Sequence, residues 1–165
     1  MATSQIKYIE DLRTECTHIK SGKNFLTDAP TDNNGKGEAF SPTDTVATSL
    51  ASCILTIMGI HARDRGYDIN GSEAFVTKHM SSNSPRKISK IDIEMTIKAT
   101  KELNSKEKIS LERIAKTCPV ALSLHPDITQ NLKIEEKLSQ KMNSEKSIER
   151  IIIFYSDGSF KNFQN

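Results

Sequence analysis

The sequence has few aromatic residues and no long run of charge of one sign, and both shortages exclude functions. Its 165 residues contain 23 Lys and Arg against 21 Asp and Glu, and the two signs are mixed along the chain. Aromatic residues make up only 5%. Because nucleic-acid-binding domains need clustered positive charge, often with aromatic side chains between, we expect no nucleic-acid partner. A chain of this length can fold as one domain without disulfides or metal.

A secretory segment is also lacking, because MATSQIKYIEDLRTE has no basic stretch followed by an apolar one. We therefore expect a cytoplasmic protein in which disulfide stapling plays no part. The spacing of the three cysteines, Cys16, Cys53 and Cys118, excludes zinc ribbons and CxxC redox motifs. The histidines have no metal-ligand spacing either, so no metal or other cofactor is expected. The four are His18, His61, His79 and His125.

A well-marked helix start lies at SPTD. Ser41 is the predicted cap, Pro42 suits the first helical position, and Asp44 completes a capping box. The uncharged stretch that follows should end at residues 63–65, with Gly66 as a left-handed stop. Its length approaches that of a membrane span, but hydroxyl, glycine and histidine side chains dilute its hydropathy. The pattern therefore favours a buried central helix and no membrane.

Alternating apolar and polar residues predict strands in the rest of the chain. The predicted elements are short antiparallel strands within Ile6–Leu26, a loop over 27–40, strands over Tyr67–Met80, Ile88–Ala99 and Ile128–Leu138, a helix over Ser105–Thr117 capped by Ser105, and a short helix opened by Pro119. They form one domain over residues 1–138.

Residues 139–165 are predicted to be a C-terminal extension that forms a β-hairpin around the turn Asp157-Gly158. Its apolar strand, 151–154, would aggregate if left bare. We expect it to be covered by the body of the protein or by a second subunit.

Two of the cysteines lie in places that differ chemically. Cys53 falls late in the apolar helix, where a free cysteine is most often a small buried hydrophobe. Cys118 precedes Pro119 and would cap a helix, where backbone N–H groups favour the thiolate and lower the pKa. Cys16, beside Glu15 in a predicted strand, gains nothing comparable and is expected to be structural or incidental. The residues alone leave packing and chemistry both open for Cys53.

Two motifs resemble those of a known family. SPTDTVATSLASC, followed 65 positions later by TCPVALSLHPD, is similar to the cysteine motifs of the OsmC/Ohr family, the osmotically inducible and organic hydroperoxide resistance proteins. GKGEAFSPTD, GIHARDRG and KHMSSNSPRKISKIDI extend the match across Lys7 to Glu136. The resemblance implies an α+β fold in which two antiparallel β-sheets wrap around two central α-helices. It also implies an intertwined homodimer with active sites at the subunit interface.

The same resemblance implies a catalytic pair. Cys53 matches the peroxidatic cysteine of the family, and Cys118 matches the resolving cysteine. Cys53 would attack an organic hydroperoxide, release an alcohol and become a sulfenic acid, which Cys118 would convert to a disulfide. An external dithiol would then reduce the disulfide. The expected partners are thus a hydroperoxide, a dithiol and a second copy of the chain.

The sequence departs from the family at the groups that activate the thiol. Typical members carry a glutamate directly after the proline of the helix start, where this chain has Thr43. Asp44 comes one place later but stands about 13 Å along an ideal helix from Cys53 and on the opposite face, so direct contact is excluded and capping is the expected role. The family also uses an arginine, and neither Arg13 nor Lys36 is assigned to that role.

Two other functions stay open. A cysteine with a histidine could build a hydrolase or transferase site, but His61 and His125 lie eight and seven residues from Cys53 and Cys118, too far to bond the thiols directly. The stronger alternative is a non-catalytic member of the fold that binds an apolar small molecule at the dimer interface.

Overall fold

The computed structural model describes residues 1–138 and the backbone of two strands at 150–154 and 160–164. The chain begins with the antiparallel sheet β1-β2-β3, which consists of β1 (Ser4–Tyr8), β2 (Arg13–His18) and β3 (Asn24–Asp28). The prediction of short antiparallel strands in this region is confirmed. A loop with a 3-10 turn at Thr31–Asn33 leads from β3 to the first helix.

Helix α1 (Pro42–Arg63) begins as predicted. The Ser41 hydroxyl accepts the Asp44 N–H at 3.1 Å, and the Asp44 carboxylate accepts the Ser41 N–H at 2.8 Å. These reciprocal bonds satisfy two donors that have no partner within the helix. The chain leaves the helix through Gly66, whose φ of 74° is the left-handed conformation that glycine adopts without steric cost.

A second sheet follows, with two more helices inserted before its last strand. Its elements are β4 (Glu73–Met80), β5 (Ile88–Ala99), α2 (Ser105–Ala115), α3 (Pro119–Ser123) and β6 (Thr129–Leu138). The strand order is β4-β5-β6. The predicted α+β fold, with two sheets and two main helices, is confirmed.

This second sheet is mixed, and here the expectation of fully antiparallel sheets needs correction. β4 and β5 are antiparallel, but β5 and β6 are parallel. The chain crosses from the end of β5 through α2 and α3 before β6 begins, and a crossover of this length returns the strand in its original direction.

The start of β4 also differs from the prediction. The strand begins at Glu73 instead of Tyr67, because the residues between them turn. The Ser72 N–H donates to the carbonyl of Ile69 at 3.1 Å, and Gly71 has a φ of 78°. Tyr67 and Ile69 are nevertheless buried, so their apolar character reports the core and not a strand.

Helix α2 is capped by Asn104 and not by Ser105 as predicted. The Asn104 side chain accepts the N–H groups of Lys106 and Glu107 at 3.0 and 3.1 Å, and the Glu107 carboxylate accepts the Asn104 N–H. The capping box is therefore complete one residue earlier. Ser105 is the first helical residue, and the helix ends at Ala115, two residues before the predicted end.

The core lies between α1 and the second sheet. Leu50, Ile54 and Met58 recur at helical spacing on the buried face of α1, and α2 contributes Leu111 and Ala115. The facing residues of β5 are the alternate positions Ile91, Ile93, Met95 and Ile97. Burying a side chain of this size contributes about 1.5–3 kcal/mol. By length and composition α1 would also qualify as a membrane span, with mean hydropathy 1.5, but core helices pass the same test.

The C-terminal strands β7 (Arg150–Phe154) and β8 (Phe160–Gln164) pair antiparallel, as the predicted hairpin requires. The predicted turn Asp157-Gly158 lies outside the described residues. The domain boundary at residue 138 and the covering of residues 151–154 stay predictions.

Candidate active site

The fold brings Cys53 and Cys118 together, although 65 positions separate them in the sequence. Cys53 lies on α1, and Cys118 is the residue before α3, a helix that packs against α1. Cys53 is half-buried against the core, and Cys118 is 0% exposed. Both are free thiols. Within one chain Cys53 is therefore the more accessible of the two thiols.

The pKa of Cys118 is shifted in the direction opposite to the one that the sequence predicts. Burial raises the pKa of the Cys118 thiol, and the adjacent Cys53 thiol raises it further. The backbone N–H groups of Ala121 and Val120 lower it, as expected at a helix start, but they are outweighed. The predicted decrease is therefore wrong, because desolvation disfavours the thiolate more than two backbone dipoles favour it. Cys118 is protonated at neutral pH.

A cavity of about 810 Å³ adjoins the pair. Leu50 and Ile54, one turn before and one residue after Cys53, form part of its wall, and Ala121 lies there from α3. Phe75, Ile93, Leu122 and Leu132 add apolar surface, and the rest of the wall is polar or charged, with His79, Asp92 and Lys116 among its residues. The sulfurs themselves do not line the cavity, but the residues that flank them do.

The start of α1 is held by a lysine that the sequence analysis missed. Lys78 on β4 pairs with Asp44 at 2.7 Å and donates to the hydroxyls of Thr43 at 2.8 Å and Ser41 at 3.2 Å. Burial alone would raise the pKa of Asp44, but the bonds from Lys78 and Ser41 keep it below its usual value. Asp44 is thus a capping and pairing group, as expected. Lys78 lies on the inward-facing side of β4 between Val76 and Met80, and this alternation could have revealed it.

Arg13 and Lys36 also have partners of their own. Arg13 forms ion pairs with Asp28, at 3.2 Å, and with Glu38. The Glu38 N–H and the Arg13 guanidinium lower the pKa of the Asp28 carboxyl, which is buried at the end of β3. Lys36 pairs with Asp11 at 2.7 Å. These contacts fix the loop before α1 and place neither cation on Cys53 within the described chain.

Each histidine has a polar partner other than the two thiols. His61 bonds to Ser110 on α2 at 2.9 Å, His79 pairs with Asp92 at 2.6 Å, and His18 and His125 contact nearby polar groups. Among the described residues no cluster of three or more His, Cys, Asp and Glu is arranged to hold a metal. Cys16 lies on β2 in the N-terminal sheet β1-β2-β3, beside Thr14.

Comparison with known proteins gives consistent matches. The family model for OsmC-like proteins matches residues 35–133. A structure from Psychrobacter arcticus 273-4, a candidate osmotic stress induced and detoxification response protein, is 52% identical, with a TM-score of 0.77 over 82% of this chain and 96% of that one. No curated protein sequence matches the chain.

More distant structures share the fold. An organic hydroperoxide resistance protein from Legionella pneumophila is 15% identical, with a TM-score of 0.63 over 82% of this chain and 98% of that one. OhrB of Bacillus subtilis, also an organic hydroperoxide resistance protein, is 15% identical, with a TM-score of 0.54 over 81% of this chain and 98% of that one. The α+β fold with two sheets and two main helices, which the resemblance of the two cysteine motifs implies, is thereby confirmed.

Proposed function

Because the chain belongs to the OsmC-like protein family, we propose that it is a thiol-dependent peroxidase that reduces organic hydroperoxides to alcohols in oxidative-stress defence. The observation that carries the proposal is the pairing of a half-buried thiol, Cys53, with a fully buried one, Cys118, near a cavity that Ile54 and Ala121 help to line. Cys53 is the attacking residue because an oxidant reaches it first.

In the first step the Cys53 thiolate attacks the terminal oxygen of the hydroperoxide. An S–O bond forms and the O–O bond breaks, so that the alkoxide leaves and takes up a proton to become the alcohol. Cys53 is oxidised to the sulfenic acid. The apolar part of the cavity wall, which includes Ile54 next to Cys53 in the chain, favours a hydroperoxide with a hydrocarbon body, because transferring such a body from water is favourable.

In the second step Cys118 resolves the sulfenic acid. Its sulfur bonds to that of Cys53, the S–O bond breaks, and the hydroxyl leaves with the thiol proton as water. The raised pKa of Cys118 keeps it protonated while Cys53 reacts, which separates the roles of the two thiols. An external dithiol then returns two electrons to the disulfide. This requirement fits a cytoplasmic protein, because that compartment keeps thiols reduced.

A homodimer is part of the proposal. The first sheet exposes large apolar side chains that the described chain leaves uncovered: Ile6 is 59% exposed, Tyr8 63% and Phe25 52%. The outer face of α1 exposes Val46 and Ile60. Apolar surface on this scale is typical of protein–protein interfaces. The expected mass in solution, measured by light scattering, is that of two chains.

The alternative function is binding of an apolar small molecule without chemistry. The same cavity favours it, as does the pairing of Arg13, Lys36 and Lys78 with carboxylates. In this case the thiol pair would only pack α3 against α1.

Steady-state consumption of cumene hydroperoxide with a dithiol reductant separates the two functions. The wild-type protein should turn over, and Cys53→Ser should be inactive. Cys16→Ser is the matched control and should keep full activity, because Cys16 lies in the other sheet. Equally slow consumption by the wild type and Cys53→Ser would support the binding function instead.

A further inference from the structure

The two sulfurs of the proposed disulfide differ in how closely a second reactant can approach them. Cys53 is half-buried, whereas Cys118 is 0% exposed. Cys118 immediately precedes α3, and Val120 and Ala121 of this helix pack against the core around it. A thiol arriving from solvent therefore meets Cys53 first.

We infer that the dithiol that resets the enzyme attacks the sulfur of Cys53 and that Cys118 is the leaving group. The inference rests on the proposed function and identifies the reactive end of its disulfide. The mixed disulfide between protein and reductant consequently forms on Cys53, while Cys118 stays in the interior throughout the cycle.

The exchange balances as two substitutions at sulfur. A thiolate of the dithiol bonds to Cys53, the bond between Cys53 and Cys118 breaks, and Cys118 takes the electron pair and then a proton. The second thiol of the reductant then attacks the reductant sulfur in the mixed disulfide and releases Cys53 as a thiolate. The reductant is oxidised to a disulfide, and the protein gains two electrons.

Two factors decide which sulfur the reductant attacks, and they point in opposite directions. Leaving-group chemistry favours attack on Cys118, whereas access favours attack on Cys53. A thiol with a raised pKa leaves more slowly, which counts against Cys118. Access outweighs this effect, because α3 would have to open before a thiolate could approach the Cys118 sulfur. The N–H groups of Ala121 and Val120, which face that sulfur, also stabilise the negative charge as it departs.

Mapping a trapped mixed disulfide tests the inference. The disulfide is formed with diamide, so that the test does not depend on hydroperoxide activity. A brief pulse of 2-mercaptoethanol is followed by acid quenching and alkylation with N-ethylmaleimide. Trypsin places Cys16, Cys53 and Cys118 on separate peptides, 14–20, 37–63 and 117–133. Mercaptoethanol should be found on peptide 37–63 and N-ethylmaleimide on peptide 117–133. This labelling pattern should be at least about tenfold more abundant than the opposite one, with mercaptoethanol on 117–133 and maleimide on 37–63.

Two controls keep the result interpretable. In guanidinium chloride, where α3 no longer covers Cys118, the preference should disappear. Among reduced single-substitution variants, Cys118→Ser should react with Ellman's reagent about tenfold faster than Cys53→Ser.

Mercaptoethanol on peptide 117–133, an even distribution, or no adduct on either peptide would overturn the inference. Failure of diamide to form the disulfide would overturn it as well, because the two sulfurs would then not be a pair. A disulfide that forms with diamide but not with a hydroperoxide would contradict only the peroxidase function, and the site of exchange could still be determined.

Discussion

The two ends of α1 are held by polar contacts, whereas its middle presents a free thiol to another free thiol. At the N-terminal end Lys78 bonds to Ser41, Thr43 and Asp44. At the C-terminal end His61 bonds to Ser110 and Arg65. Cys53, between them, faces a thiol across the contact with α3. The difference indicates that the polar contacts at the two ends fix α1, while the middle of the helix places Cys53 beside Cys118.

The largest effect on activity is expected from changing Cys118, the thiol that faces the middle of α1. Cys118→Ser keeps the size of the side chain but cannot form a disulfide, so the Cys53 sulfenic acid would wait for a second hydroperoxide and oxidise to the sulfinic acid. We expect one burst of hydroperoxide consumption and then a turnover rate reduced by more than about tenfold. Stopped-flow kinetics measures both phases. Sustained turnover at the wild-type rate would exclude Cys118 as the resolving thiol.

The next largest effect, a loss of stability, is expected from a change at the N-terminal end of α1. Lys78→Met removes the partner of Asp44 and the donor to two hydroxyls, and Lys78 is well buried, with 15% of its side chain exposed. Asp44 keeps access to water, which screens the lost charge, so we expect a loss of about 1–2 kcal/mol of unfolding free energy. Chemical denaturation measures it.

Lys87→Met is the matched control, because Lys87 pairs with Asp127 at 2.8 Å but both side chains are more than half exposed. It should leave stability unchanged. Equal losses in the two variants would show that the ion pair at α1 is no more than a surface contact.

A smaller effect is expected at the cap itself. Ser41→Ala removes the side-chain acceptor of the α1 capping box and should cost about 1 kcal/mol of unfolding free energy. Ser105→Ala is the control: the sequence marks Ser105 as the cap of α2, but the structure gives that position to Asn104. Equal costs at Ser41 and Ser105 would contradict the observed cap.

The smallest effect on stability is expected at the C-terminal end of α1, at His61, and it depends on pH. Arg65 can only donate, so Nδ1 of His61 accepts at 3.1 Å and the Nε2–H donates to Ser110, which requires a neutral ring. Burial, Arg65 and Arg113 lower the pKa of His61, against a weaker opposing effect of Asp64.

A lowered folded-state pKa means that the unfolded chain binds the proton first. Stability should therefore be full above pH 6.5, the ordinary pKa, and should fall as the pH drops below it. Denaturation between pH 5 and 8 measures this, with His61→Gln as the comparison, because glutamine does not titrate. An identical pH dependence in the two proteins would contradict the assignment.

Local signals predicted the parts of the molecule that local physics determines. The cap at Ser41 and the strand Ile88–Ala99 follow from short patterns, so both are found where they were expected. The pairing of Cys53 with Cys118 required the family resemblance, because nothing in the spacing of the two residues brings them together.

Features that depend on tertiary contacts could not be predicted from the same patterns. The direction of the Cys118 pKa shift depends on burial by α1 and α3. The hydrogen bond between His61 on α1 and Ser110 on α2 joins residues that are 49 positions apart in the sequence. The parallel placement of β6 depends on the route of the crossover through α2 and α3.

The pairing of the two thiols is tested most directly by peptide mass spectrometry after one equivalent of cumene hydroperoxide per chain. We expect peptides 37–63 and 117–133 of one chain to become linked by a disulfide, while the Cys16 peptide stays alkylatable. Reduced Cys53 and Cys118 after the treatment, or a sulfinic acid on Cys53 with Cys118 still free, would contradict it.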